Sequence, residues 1–90
     1  MQVSFKPSFT RDFKDLPREA QSEVKKICTE IFPALGNMRE LKEYKIKPLG
    51  GFKNYYRIRV GDFRIGFKTE SGKVIFMRVR DRKDIYRYFP

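Results

Sequence analysis

A chain of 90 residues suffices for one small domain, and a hydrophobic fraction of 40%, with nine Phe and five Tyr, can build a compact core despite the high charge. One cysteine excludes an intramolecular disulfide, and the lack of histidine excludes both a His/Cys zinc site and an imidazole base. No apolar run approaches the roughly 20 residues of a membrane span, and no signal-peptide pattern opens the chain, so a cytoplasmic protein without metal or cofactor is expected.

The net charge of +10 is unevenly spread. Residues 1–44 carry 8 Lys and Arg against 7 Asp and Glu, whereas residues 45–90 carry 13 against 4. A basic excess confined to one half attracts a polyanion: nucleic acid, an acidic protein segment or an anionic membrane.

In chain order, Val3 to Phe5 alternates as a short strand. Thr10 suits a helix N-cap, and Phe9, Phe13 and Leu16 then recur on one helical face. Pro17 breaks that run and can open a second helix, along which Ala20, Val24, Ile27, Cys28 and Ile31 form an apolar stripe. Phe32-Pro33 is expected to end it, because the residue before proline is pushed out of the α region. Cys28 lies on the stripe and reads as a small core residue rather than a nucleophile. Residues 33–53 are rich in breakers and read as a loop, with one short helical turn and a short strand near Tyr44 to Lys47. Gly50-Gly51 implies positive φ or a close backbone approach.

From Tyr55 the period changes to two. Tyr56, Ile58 and Val60 alternate with Arg57 and Arg59. Gly61-Asp62 suits a type II′ hairpin turn. Phe63, Ile65 and Phe67 then alternate with Arg64, Gly66 and Lys68, and Thr69 to Gly72 is a second turn. In Val74 to Val79, one face holds Ile75, Met77 and Val79, and the other Val74, Phe76, Arg78 and Arg80. The aromatic tail from Asp84 to Phe89 is expected to pack as a short turn or helix. The predicted class is α+β: an N-terminal strand and a two-helix hairpin packed on an antiparallel meander of about four strands, all in one domain over residues 1–90.

This register puts Arg57, Arg59, Arg64, Lys68, Arg78 and Arg80 on the sheet face away from the helices, with Tyr55, Tyr86 and Tyr88 around them. The planar guanidinium fork can hold phosphate oxygens bidentately, and aromatic rings beside it can stack on unpaired bases. Like charges opposite one another destabilise a sheet, so a face that tolerates them is expected to serve a ligand. A simply solvated face is the plain alternative. Asp81 and Asp84 flank Arg82 and are expected to form local salt bridges rather than a metal site.

Two stretches carry a family likeness. PLGGFKNYYRIRVGDFRIGF, from Pro48 to Phe67, resembles the core of RelE/ParE-superfamily toxins, and VRDRKDIY, from Val79 to Tyr86, resembles their ending. The likeness is detailed over the C-terminal half and architectural over the first half. It implies a toxin of a type II toxin–antitoxin system, closest to the RelE branch: a ribosome-dependent mRNA endoribonuclease held inactive by a cognate acidic antitoxin. The same likeness implies catalytic roles for Arg64 on the scissile phosphate and Arg82 on the transition state or leaving oxygen. It assigns Tyr86 to the 2′-OH or a base, and Arg57 and Arg59 to the paired basic positions of the first meander strand. Lys53, Tyr55, Lys68, Arg78 and Arg80 would hold RNA. Many relatives carry lysines at the paired positions and a His where Asp81 stands, so the general base is unassigned. The alternatives are a ParE-like toxin that poisons gyrase and a non-catalytic RNA- or ribosome-binding module.

Overall fold

The computed structural model describes residues 1–41, 44 and 46–90, without the side chains of Met38 and Leu41. Strand β1 (Gln2–Phe5) leads into α1 (Pro7–Lys14) and α2 (Arg18–Lys26), which continues through a π-turn (Ile27–Ile31) into α3 (Phe32–Ala34). After a 3-10 turn (Met38–Leu41) come β2 (Ile46–Pro48), β3 (Tyr55–Val60), β4 (Phe63–Glu70) and β5 (Lys73–Asp81), and a last helical turn, α4 (Ile85–Tyr88).

Helix α1 begins at Pro7 rather than after Thr10. Proline is favoured in the first helical turn, where its missing N–H costs nothing. The second helix does not stop at Phe32-Pro33 but widens before it. Pro33 has no N–H for the carbonyl one turn back and its ring crowds that turn, and the π-turn makes room for it. The expected strand near Tyr44 is Ile46–Pro48, with Lys45 outside the described residues.

The five strands form one mixed sheet in the order β1-β5-β4-β3-β2. β1 lies parallel to β5, and the other pairs are antiparallel. The helices cover one face. Phe32 is fully buried there and meets Phe67 and Phe76 edge-on, at 5.4 and 5.1 Å between ring centroids. Phe9, Leu16, Val24, Ile27 and Cys28 pack from the helices onto Ile58, Ile65, Val74 and Val79. Truncating a ring such as Phe32 would cost about 3–5 kcal/mol, a large part of the stability of so small a domain. Burial pushes the Cys28 thiol up to about 12, so it stays protonated and inert.

The alternation holds through β3 and β4 but not β5. A bulge lies where Gly66 pairs with Arg78 but Phe67 pairs with Phe76, leaving Met77 as the extra residue. Val74 and Phe76 therefore share the core with Val79, and the expected grouping of Ile75, Met77 and Val79 is wrong. The bulge lets the strand bury Val74, Phe76 and Val79 together while still turning Arg78 and Arg80 to the far face.

Candidate nucleic-acid interface

Cross-strand pairing sets two rows of cations on the face away from the helices. One row is Arg59, Arg64 and Arg80; the other is Arg57, Gly66 and Arg78. Tyr55 and Lys68 form the next row. The face is not fully open, because the C-terminal tail folds back across it. Ile85 and Phe89 are buried, and the Phe89 ring lies where a Cβ on Gly66 would come within 2.6 Å. Glycine at 66 is what lets the tail lie flat on the sheet.

At the β5 edge the arginines have an acidic partner. β1 pairs with β5 only as far as Phe76, and α1 takes over the edge beyond it. There Ser8 donates to the Met77 carbonyl at 2.7 Å, and the Val79 N–H donates to Asp12 at 3.2 Å. The Asp12 carboxylate also accepts from Arg78 Nε at 2.8 Å, Arg78 Nη2 at 3.0 Å and Arg80 Nη1 at 3.2 Å. Tyr88 lies under both guanidiniums, with its ring centroid 4.9 Å from Arg78 and 4.1 Å from Arg80. Lys68 pairs with Glu70 at 3.5 Å. These three side chains are already engaged within the protein. No local pattern signals this, because Asp12 lies 66 residues before Arg78, on an ordinary amphipathic helix.

The rest of the basic set is different. Among the described residues, Arg57, Arg59, Arg64 and Arg82 have no carboxylate within salt-bridge distance. Arg64 is the anchor. It retains only 9% of its exposure, and Nη1 donates to the carbonyls of Gly61 and Phe63, both at 2.9 Å. Gly61 has a φ of +58°, the sense expected of a II′ turn, and that turn presents both carbonyls. One nitrogen therefore fixes the guanidinium, and its other N–H groups remain for a ligand. Burial lowers the pKa of Arg64, with the charges of Arg59, Arg57 and Arg82 acting the same way and Tyr86 opposing them. Arg59 is its cross-strand partner and Arg57 the next residue on that face of β3, so the like charges gather around it.

Arg82 is brought there by the backbone: its N–H donates to the carbonyl of Asp62 at 2.9 Å, clamping the end of β5 to the β3–β4 turn. Asp81 turns the chain, its carboxylate accepting the Lys83 N–H at 2.8 Å, and is not free to act alone. Tyr86 projects from α4 with 55% of its surface exposed. Lys53 is exposed on the β2–β3 loop. Tyr55 is half-buried against Phe89, at 5.7 Å between centroids, and carries the tail rather than standing free. An exposed aromatic that the sequence reading passed over, Phe52, lies on the same loop.

A fixed, partly desolvated guanidinium, beside further cations that lack counter-charges among the described residues, is suited to an anion with several oxygens. Such charges act most strongly where water is thinned and no reorganisation is needed.

A family model described as "ParE toxin of type II toxin-antitoxin system, parDE" matches residues 3–86. The chain is 41% identical over 92 residues, covering all of both proteins, to a protein named Toxin RelE3 from Methanocaldococcus jannaschii. It is similar to the structure of a RelB-RelE antitoxin-toxin complex from Methanococcus jannaschii, with a TM-score of 0.79 and 41% identity over 96% of this chain and 98% of that one. The isolated E. coli RelE toxin shares the fold at 14% identity, with a TM-score of 0.66 over 89% of this chain and 82% of that one. With its mixed sheet, helical cover and arginine face, this chain belongs to the RelE/ParE family of type II toxin–antitoxin toxins.

Proposed function

We propose that this toxin is a ribosome-dependent mRNA endoribonuclease. In the proposed reaction a ribose 2′-oxygen attacks the adjacent phosphorus, the bond from phosphorus to the 5′-oxygen breaks, and a cyclic phosphate and a 5′-hydroxyl result. The 2′-hydroxyl loses its proton and the leaving 5′-oxygen gains one. The observation that carries the reading is the gathering of Arg57, Arg59 and Arg82 around an anchored Arg64, with no neutralising carboxylate among the described residues. Arg64 would hold the non-bridging oxygens, and Arg82 would meet the charge growing on phosphorus or on the leaving oxygen. Tyr86 would orient the 2′-hydroxyl or stack on a base. Arg57 and Arg59 would bind flanking phosphates, since an arginine is too basic to serve as general base. Because translating ribosomes supply the substrate, the site of action is the cytoplasm.

The test is cleavage of mRNA in a translating extract, mapped by primer extension. Intact message after incubation with active ribosomes and wild-type protein would sink the proposal. The ParE description of the matched family favours a second reading, a gyrase poison. Inhibited supercoiling with no RNA cleavage would establish that one instead.

Relatives with this fold are seen bound to antitoxins, as in the RelB-RelE and RelBE2 complexes. We infer the same class of partner here: an acidic, amphipathic segment. The basic face suits its charge. A separate apolar stretch of it, on the helical side of the sheet, could use a cleft of about 260 Å³ between α1 and α2, lined by Phe5, Phe9, Phe13, Val24 and Cys28, with Lys25 at its rim.

A further inference from the structure

Phe52 is 51% exposed yet is not on a loose loop. The turn that carries it is tied by backbone bonds: Leu49 N–H to the Tyr55 carbonyl at 2.9 Å, Phe52 N–H to the Leu49 carbonyl at 3.2 Å, and Tyr55 N–H to the Phe52 carbonyl at 3.3 Å. Gly51 and Asn54 take φ values of +81° and +67°, which bend the chain sharply on either side of it. The ring meets Tyr55 edge-on at 6.3 Å, and Tyr55 in turn packs on Phe89. An apolar ring is thus held at a set position in water.

Across from it lies Tyr86. The two rings share a cleft of about 420 Å³ completed by Leu49, Gly50, Phe89 and Pro90. That size falls within the roughly 300–1,000 Å³ of ordinary ligand sites. None of the lining side chains is charged, yet Phe89, one wall of the cleft, lies on Gly66, which pairs with Arg57 and stands two residues from Arg64 on the same face. An aromatic cleft with uncharged side chains, opening beside arginines that have no carboxylate partner among the described residues, matches a ligand with a flat neutral part and an adjacent anion. A nucleotide is such a ligand. An acidic side chain lacks the flat ring, and an apolar protein segment would leave the cations unused.

We infer that Phe52 and Tyr86 are the two walls of a subsite for one unpaired nucleobase of the RNA, next to the phosphate held by Arg64. This rests on the RNA-binding reading above and adds Phe52 as a positioning residue. Single exposed aromatics are ordinary on protein surfaces. Two that line one cleft beside a bare cation cluster are not explained by packing.

The test uses the full-length toxin and a short single-stranded RNA carrying 2-aminopurine, whose fluorescence falls when the base stacks. Binding to wild type should quench the probe. Phe52→Ala and Phe52→Leu should both weaken binding roughly 5- to 150-fold, as expected for losing one base-stacking contact, and relieve the quench. Phe52→Trp should restore both. An abasic RNA should bind wild type and Phe52→Ala equally. Circular dichroism checks that each variant is folded; since Phe52 contributes no core contact, all three should be. Equal affinity and equal quenching in wild type, Ala and Leu variants would overturn the subsite while leaving the arginine site standing. Wild-type protein that binds no RNA would overturn both.

Discussion

Two groups of arginines share one sheet face and differ in what lies beside them. Arg78 and Arg80, at the β5 edge, meet a buried Asp12 and a Tyr88 ring. Arg57, Arg59 and Arg64, on the strands further in, together with Arg82 just past β5, meet other cations and a few carbonyls. The first group closes the sheet edge that β1 leaves uncovered; the second repels itself, and an external anion would relieve the repulsion. Equal charge in the sequence therefore divides into a part that holds the fold and a part that is left for a ligand.

This division can be broken by substitution. Arg82→Ala should lower RNA cleavage about 10²- to 10³-fold, the usual cost of removing one preorganised charge donor, with folding stability within about 0.5 kcal/mol of wild type because Arg82 is exposed. Arg78→Ala should do the reverse, losing stability but less than about tenfold in activity. Next in size is Asp12→Ala. It leaves two arginines and the Val79 N–H without their acceptor, and stability in denaturant melts should fall by about 2–4 kcal/mol. The value is set below that of a fully buried pair because Arg78 and Arg80 keep 19% and 29% of their side-chain exposure. Restored activity on refolding would show that Asp12 serves the scaffold alone.

A smaller effect is expected at Gly66. An alanine there would drive its Cβ into the Phe89 ring, so Gly66→Ala should cost about 1–3 kcal/mol through displacement of the tail. A melting temperature equal to wild type would mean that the tail is not fixed on the sheet. The smallest effect concerns salt. Each phosphate contact to single-stranded RNA adds about 0.7 to the slope of log affinity against log salt. Arg59→Ala should remove about one such step, and Arg78→Ala none.

How much of this was legible in the chain depends on distance along it. Alternation from Tyr55 to Lys68 gave β3, β4 and the Gly61 turn, because strand period and turn chemistry are local. The convergence of Arg57, Arg59 and Arg64 followed from that register. β5 was misread because a single bulged residue, Met77, inverts the alternation, and no composition signal marks a bulge. The pairing of Asp12 with Arg78 and the parallel pairing of β1 with β5 join opposite ends of the chain. Helix periodicity could show only that Asp12 lies off the apolar stripe. Gly66 looked like an interruption among cations; its purpose became visible only with Phe89 lying on it.

The most direct measurement is primer extension of one message in a translating extract, with wild type, Arg82→Ala and Arg78→Ala at equal folded concentration. The account predicts cleavage products with wild type and Arg78→Ala and at least about 100-fold less product with Arg82→Ala. Cleavage at the wild-type level by Arg82→Ala, or equal loss in both variants, would contradict the division of this face into a structural pair and a working cluster.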